Sequence, residues 1–383
     1  MARQAEAVTA PREVAVRVVD ADVHPSPKSP EELRAYLPEP WRSRAWSDQV
    51  FNAIGSPIYM APNNAQRRDA YAPAGGPPAS DPAFTERQLF EEAGVDYAIL
   101  IPLTVRPVTN PEHEAAVAAA TNAWMADTWL GRYNRHGRYR GTLRICSSDP
   151  ELGAAEIEKW AGHPGFVQVM LIPYARAPYG QAMYRPIFEA AARHNLPVAI
   201  HVNRSPGQGL MTPVGFSSYF FEHHSLYPLF YASHLTSILA EGVFERYPSL
   251  RVVFVEGGFS WLPPLLWRLD RTWEACKDEI PGCRRPPSSY LRDHIRFSSQ
   301  PIEEPARLQD LMQVLEWMDA EHTLLFATDY PHWDYDDPGP IWNRLPERAR
   351  ARILAGNALE LYHLPATRPD GPRGLPARGD GAQ

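Results

Sequence analysis

Cysteine is scarce in this 383-residue chain: Cys146, Cys276 and Cys283 are the only three. An odd, scattered set excludes a disulfide framework and lacks zinc-ligand spacing, so a reducing, cytoplasmic setting is expected. No apolar run approaches the roughly 18 residues of a membrane span, and MARQAEAVTAPREVAV lacks the apolar core of a secretory leader. Basic residues are not in surplus either. The formal net charge is -7, and without a basic stripe nucleic acid is excluded as a default partner. No Gly-rich phosphate loop follows the first apolar run, which argues against an open doubly wound sheet.

Proline, by contrast, is plentiful at 40 residues, and its clusters mark boundaries. Residues 1–13 read as a disordered N-terminus and residues 365–383, rich in Pro, Gly and charge, as a disordered tail. Between them, 14–364 reads as one domain. Residues 55–82 form a long punctuated insertion, expected to be disordered or part of a functional rim. Past it, short Val/Ile/Leu-rich runs recur at 14–24, 96–103, 138–146, 166–173, 196–203, 250–258, 294–300 and 322–332. Helix-period segments separate most of them, beginning behind Asn110 and behind Ser147 and Ser148. Eight strand–helix units predict an α/β fold, a closed (β/α)8 barrel.

Catalytic groups in such barrels sit where strands end. The first strand, VVDADVHP, places Asp20, Asp22 and His24 at every second position, hence on one face. The fifth ends in His201 and Asn203, the sixth in Glu256, the seventh in Ser298, Ser299 and Gln300, and the eighth in Asp329 and His332. Each alone has a bland reading: a satisfied core histidine, a turn aspartate, a rim ion pair. Jointly, two imidazoles and three carboxylates at four strand ends predict a first-row metal site with nitrogen and oxygen ligands. Between strands five and six, GFSSYFFEHHSLYPLFYASH reads as an aromatic lid from which Glu222, His223, His224 or His234 could add ligands. His113, His136, His163, His194, His294, His322 and His363 read as structural or surface residues.

These residues carry a resemblance. DADVH, the His of AIHVN, FERYPSLRVVFVEGGFSWLP and LLFATDYPHWD together resemble the amidohydrolase-related superfamily, in the branch of aminocarboxymuconate semialdehyde decarboxylase and the resorcylate decarboxylases. The chain also resembles the amidohydrolase-fold non-haem diiron monooxygenases of bacterial terpenoid-antibiotic biosynthesis. The resemblance implies Asp22, His24, His201 and Asp329 as metal ligands; Asp20, one step deeper in the strand, is expected to support the site by accepting a hydrogen bond from a ligand His. The resemblance puts Glu256 where the family's decarboxylases carry a catalytic His, and FVQVMLIP lacks the strand-four Lys of the binuclear hydrolases.

The leading expectation from this carboxylate-rich set is a diiron monooxygenase that uses O2 to hydroxylate a bulky apolar, terpenoid-like substrate in secondary metabolism. Asp22, His24, His201, Glu222, His224, Glu256 and Asp329 would hold two Fe(II) ions, or else Mn(II) or Zn(II). Glu256, Asp329 and His332 are the expected catalytic residues, with Asn203 near the substrate. The alternative is a metal-dependent hydrolase or non-oxidative decarboxylase of a small carboxylated substrate, with Asp329 as general base. A third reading is a binding protein on a retired barrel. A homodimer is expected only by analogy with the family.

Overall fold

The computed structural model describes residues 13–43, 65–104, 110–203, 211–339 and 341–369. Eight parallel strands follow one another in chain order around its centre. They are β1 Val19–Val23, β2 Tyr97–Leu100, β3 Tyr139–Arg144, β4 Phe166–Leu171, β5 Val198–His201, β6 Val252–Val255, β7 Ile295–Ser298 and β8 Leu324–Leu325. The sheet closes on itself beyond the short β8. Ala21 N donates to the Phe326 carbonyl at 2.9 Å, His24 N donates to that of Tyr330 at 2.8 Å, and Val23 bridges Tyr330 in parallel register. This is a TIM barrel, as eight alternating units predict.

The strands are buried on both faces, which is why they read as near-continuous apolar runs. Alternation sorts their residues into two sets. Met170, Ala199, Val253 and Val255 belong to one buried cluster. Val169, Leu171, Val198, Ile200, Val252 and Phe254 belong to a larger one that includes Trp124, Ile157, Phe188 and Leu235 from the surrounding helices. His201 lies two residues beyond Ala199, so it shares the face of the smaller cluster, opposite the larger one.

Three boundaries differ from expectation. The run 14–24 is two strands, because Asp96 accepts hydrogen bonds from Arg17 N and Val18 N between them. Its first part, Glu13–Ala15, pairs antiparallel with Thr367–Pro369, so part of the expected tail is a strand; residues 1–12 and 370–383 lie outside the described residues. The helix Pro150–Trp160 is capped by Asp149, which accepts from Glu151 N and Leu152 N, while Ser147 N donates to Glu114. Of the insertion, residues 55–64 lie outside the described residues. Its later part crosses the barrel mouth, where Gln66 bridges His332. Among the described residues no helix is long and apolar enough to cross a membrane.

Candidate metal centre at the barrel mouth

The strand ends deliver the polar residues to one place. Asp22 and His24 close β1, His201 is the last residue of β5, Glu256 follows β6, and Asp329 lies beyond β8. Glu256 (φ 57°) and Asp329 (φ 59°) are both left-handed, a conformation that costs roughly 1–2 kcal/mol for a side chain other than glycine. Strain of this kind gathers where a site fixes a side chain's direction. Behind Glu256, Gly257 has no room for a side chain: a Cβ there would meet the Tyr231 ring. Tyr231 is itself pinned, its hydroxyl donating to the Val255 carbonyl at 2.5 Å and accepting from Val202 N at 3.0 Å. It thereby ties the end of β5 to the end of β6.

Two overlapping sets of ligand atoms result, each with all its members within 4.8 Å of one another. One is Asp22, His24, His201 and Glu256; the other is His24, Glu256, Asp329 and His332. His24 Nε2 stands 3.2 Å from Asp22 Oδ1 and 2.8 Å from Asp329 Oδ1. His201 Nε2 stands 3.3 Å from Asp22 Oδ2 and 3.3 Å from Glu256 Oε2. The far nitrogens are held by backbone carbonyls: His24 Nδ1 by Ile101 at 2.9 Å and His201 Nδ1 by Val202. A carbonyl only accepts, so both Nδ1 atoms carry hydrogen and both Nε2 lone pairs face the site.

Charge follows the same logic. Burial pushes His24 down to about 4, against the pull of Asp22, so it is neutral at pH 7, as a ligand must be. Burial opposes ionisation of Asp22, yet His24 and His201 outweigh it and hold the carboxyl low. Asp329 is pushed well above the usual range, first by burial and then by Glu256 and Asp22. Both Asp22 oxygens, Asp329 Oδ2 and His201 Nε2 are buried without a hydrogen-bond partner among the described residues. Buried acceptors left this way cost a few kcal/mol each unless a cation meets them. The donor set therefore fits a divalent metal.

The remaining expected residues separate from this cluster. Asp20 supports no ligand His. It accepts from Thr328 N at 3.0 Å, Thr328 Oγ1 at 2.5 Å and Asp22 N at 3.1 Å, because the register shifts between Asp20 and Val23. Glu222 lies outside both sets: it caps the helix Phe220–Ser225, accepting from Ser218 N and Tyr219 N at 2.9 and 2.8 Å. His224 also lies outside both sets, with Nε2 3.1 Å from Asp334 Oδ2. His234 is buried in the helix Tyr227–Ala240, accepting from Tyr179 N and donating to the Pro173 carbonyl. His223 is buried with its ring edge-on to Tyr227. Nothing in a linear pattern marked Asp334; Glu222 had a signal, its place three residues after the cap.

A cleft of about 130 Å³ opens on the cluster, lined by His24, Asn203, Glu256 and His332 together with Phe220, His224 and Tyr227 of the lid. Gln66 and Pro77 of the insertion reach it, as does the Pro25–Pro30 segment with Lys28, which sequence reasoning passed over. His332 joins the cluster at its solvent side, its Nδ1 donating to Asp329 Oδ1 at 2.6 Å.

The profile of the family described as Amidohydrolase matches residues 19–364. The chain belongs to that family. Two gamma-resorcylate decarboxylases are similar to this amidohydrolase-family chain. That of Polaromonas sp. (strain JS666) is 23% identical over 297 residues, and that of Rhodococcus jostii (strain RHA1) 23% identical over 300. Each alignment covers 72% of this chain and 86% of the relative. Among solved structures, a 2,6-dihydroxybenzoate decarboxylase complexed with 2,6-dihydroxybenzoate superposes with a TM-score of 0.64 at 18% identity, covering 91% of this chain and 100% of that one. A dihydroxybenzoic acid decarboxylase from Polaromonas sp. JS666, with bound manganese and 2-nitroresorcinol, gives 0.63 at 20% identity, with 91% and 97% covered. An amidohydrolase from Mycobacterium avium subsp. paratuberculosis gives 0.67 at 17% identity, with 91% and 100% covered. These structures share the fold.

The relatives correct the leading expectation. The gamma-resorcylate and 2,6-dihydroxybenzoate enzymes are decarboxylases, so a diiron monooxygenase taking O2 and a bulky apolar substrate is set aside. Carboxylate-rich ligand sets serve both chemistries, and ligand type alone misled the choice.

Proposed function

We propose that the protein is a metal-dependent, non-oxidative decarboxylase of a hydroxylated aromatic carboxylate. The observation that carries the reading is the convergence of Asp22, His24, His201 and Glu256 at the floor of a cleft of about 130 Å³. That is close to the roughly 150 Å³ that accommodates a benzene ring.

Asp22, His24, His201 and Glu256 would hold one divalent ion, manganese being the ion bound in a related decarboxylase. The count follows from His24. With Nδ1 committed to Ile101, it has one lone pair, which serves one ion, although both ligand sets draw on it. Two carboxylates and two neutral imidazoles balance a charge of two. When bound, the ion supplies a Lewis acid that polarises substrate oxygen.

The protein's own groups move the proton. Asp329 holds it at Oδ2, the oxygen free of hydrogen bonds, while Oδ1 accepts from His332 Nδ1. Delivery to the ring carbon that bears the carboxylate forms a C–H bond. The C–C bond then breaks, its electron pair restores the aromatic ring, and CO2 leaves. His332, bonded to Asp329 and 15% exposed, returns a proton from solvent. The lid residues Phe220 and Tyr227 pack against the ring and exclude water.

The test is anaerobic turnover of manganese-loaded protein on a panel of ortho-hydroxybenzoates in D2O. CO2 release with one deuterium at the vacated ring carbon is expected. Hydrolysis of an ester or lactone without CO2, by a panel-inactive enzyme, would transfer the reading to a metal-dependent hydrolase, which Glu256 in place of the family His favours. Turnover that stops when O2 is removed would defeat both.

A further inference from the structure

The far end of the barrel carries a second cavity, of about 370 Å³. Its walls include Pro197 before β5, Arg251 before β6, Arg292 before β7 and His322 before β8, whereas the mouth is built from residues that end or follow strands. Four arginines line it, Arg251, Arg292, Arg296 and Arg352, against two acids, Asp293 and Glu360. Both acids are already engaged. Arg352 holds Glu360 at 2.8 Å and Arg285, from outside the cavity, approaches Asp293 at 3.4 Å. Arg292 pairs with Asp319 at 3.3 Å.

Neither Arg251 nor Arg296 is in ion-pair contact with a carboxylate among the described residues. Arg251 Nη1 donates to the carbonyls of Pro248, Ser249 and Leu250. Arg296, only 8% exposed, gives Nη1 to the carbonyls of Arg292 and Ile295, both at 2.9 Å. Its Nε is buried with no hydrogen-bond partner among the described residues. Burial and the neighbouring Arg251 weigh against its charge and push it down to about 10, against the weaker pull of Glu360 and Asp293. A purely structural network would pair these cations; a buried guanidinium beside a second, half-buried one is unfavourable unless an anion joins them.

We propose that this cavity is a binding site for a phosphate-bearing metabolite, with Arg251 and Arg296 holding the phosphate oxygens. Two guanidinium charges match a phosphate monoester, which carries about -1.5 to -2 near neutral pH, and guanidinium is the group best shaped for its oxygens. The volume exceeds what inorganic phosphate fills. Leu196 and Leu361 supply an apolar wall for an organic body, and Asn195 and Ser249 supply polar contacts. The site is separate from the metal centre, so it does not depend on the reaction assigned there.

Arginine modification by phenylglyoxal, mapped by mass spectrometry on the full-length manganese-loaded protein, tests this. Inorganic phosphate and glycerol phosphate, at ionic strength held constant with chloride, should slow modification of Arg251 severalfold and saturably. Stronger protection by the ester identifies an organic phosphate; equal protection identifies phosphate itself, and both support the site. Arg296→Gln should raise the protecting concentration about tenfold or more while manganese content stays unchanged. Arg251 reacting at one rate with and without either anion overturns the proposal, as does protection that Arg296→Gln leaves unaltered.

Discussion

Gly257→Ala tests how Glu256 is placed. Gly257 is not in the left-handed region, so alanine meets no backbone penalty there. Its Cβ, however, would lie 1.7 Å from Cε2 and 1.9 Å from Cδ2 of Tyr231, about half an ordinary contact. Tyr231 is fully buried and cannot swing aside without releasing Val255 and Val202. Overpacking costs about 1–3 kcal/mol and the two hydrogen bonds about 0.5–1.5 kcal/mol each, so a loss of about 2–6 kcal/mol is expected in urea unfolding. Metal affinity should fall with it, because Glu256 is the adjacent residue. In a Tyr231→Leu background the same alanine should cost under about 1 kcal/mol, the difference being the coupling between the two positions. A cost below about 0.5 kcal/mol in the wild-type background, or an equal cost in both, would refute the steric argument.

Other outcomes follow from the same geometry. His201→Ala should lower manganese affinity by at least about tenfold, since even groups that merely support a ligand are worth about 10–100-fold; full occupancy by elemental analysis would remove His201 from the ligand set. Glu222→Gln should keep its metal and cost only about 0.5–2 kcal/mol of capping, whereas loss of metal would restore it as a ligand. Burial pushes His234 down to about 4 from an unfolded value near 6.5. The unfolded chain therefore binds this proton first, and the stability His234 contributes is present above about pH 6.5 and lost as pH falls toward 4. Its share of the slope reaches about 1.4 kcal/mol per pH unit, and His234→Asn should flatten the unfolding profile by that amount. An unchanged profile would show that His234 does not titrate there.

The fold was legible because strands buried on both faces interrupt the helices at regular intervals, and the cluster residues because each apolar run stops at an ionisable side chain. Asp22, His24, His201, Glu256 and Asp329 all carry that signature. What alternation could not convey was the register shift after Asp20, which turns one member of an evenly spaced trio toward Thr328. The lid misled for a different reason. Glu222 and His234 are ligand types whose capacity is spent locally, on helix-end amides and on the Tyr179 and Pro173 backbone. The bonds that spend it are contacts in space, as is the approach of Asp334 to His224. Reaction type was least legible, since the same donors serve oxygen activation and decarboxylation.

The clasp between Asp20 and Thr328 joins residues 308 apart in the chain. During synthesis β1 leaves the ribosome first and its closing partner last. Until then Ala21 N and His24 N, which later meet the carbonyls of Phe326 and Tyr330, sit on an open edge able to pair with another chain. Asp329, the proposed proton carrier, arrives only with that closing segment. A chain that stalls short of residue 324 would present ligands without their acid on an unsealed sheet. On the proposed roles, the acid joins the ligands only when the barrel closes, and the long unsealed interval is when protection from aggregation matters most.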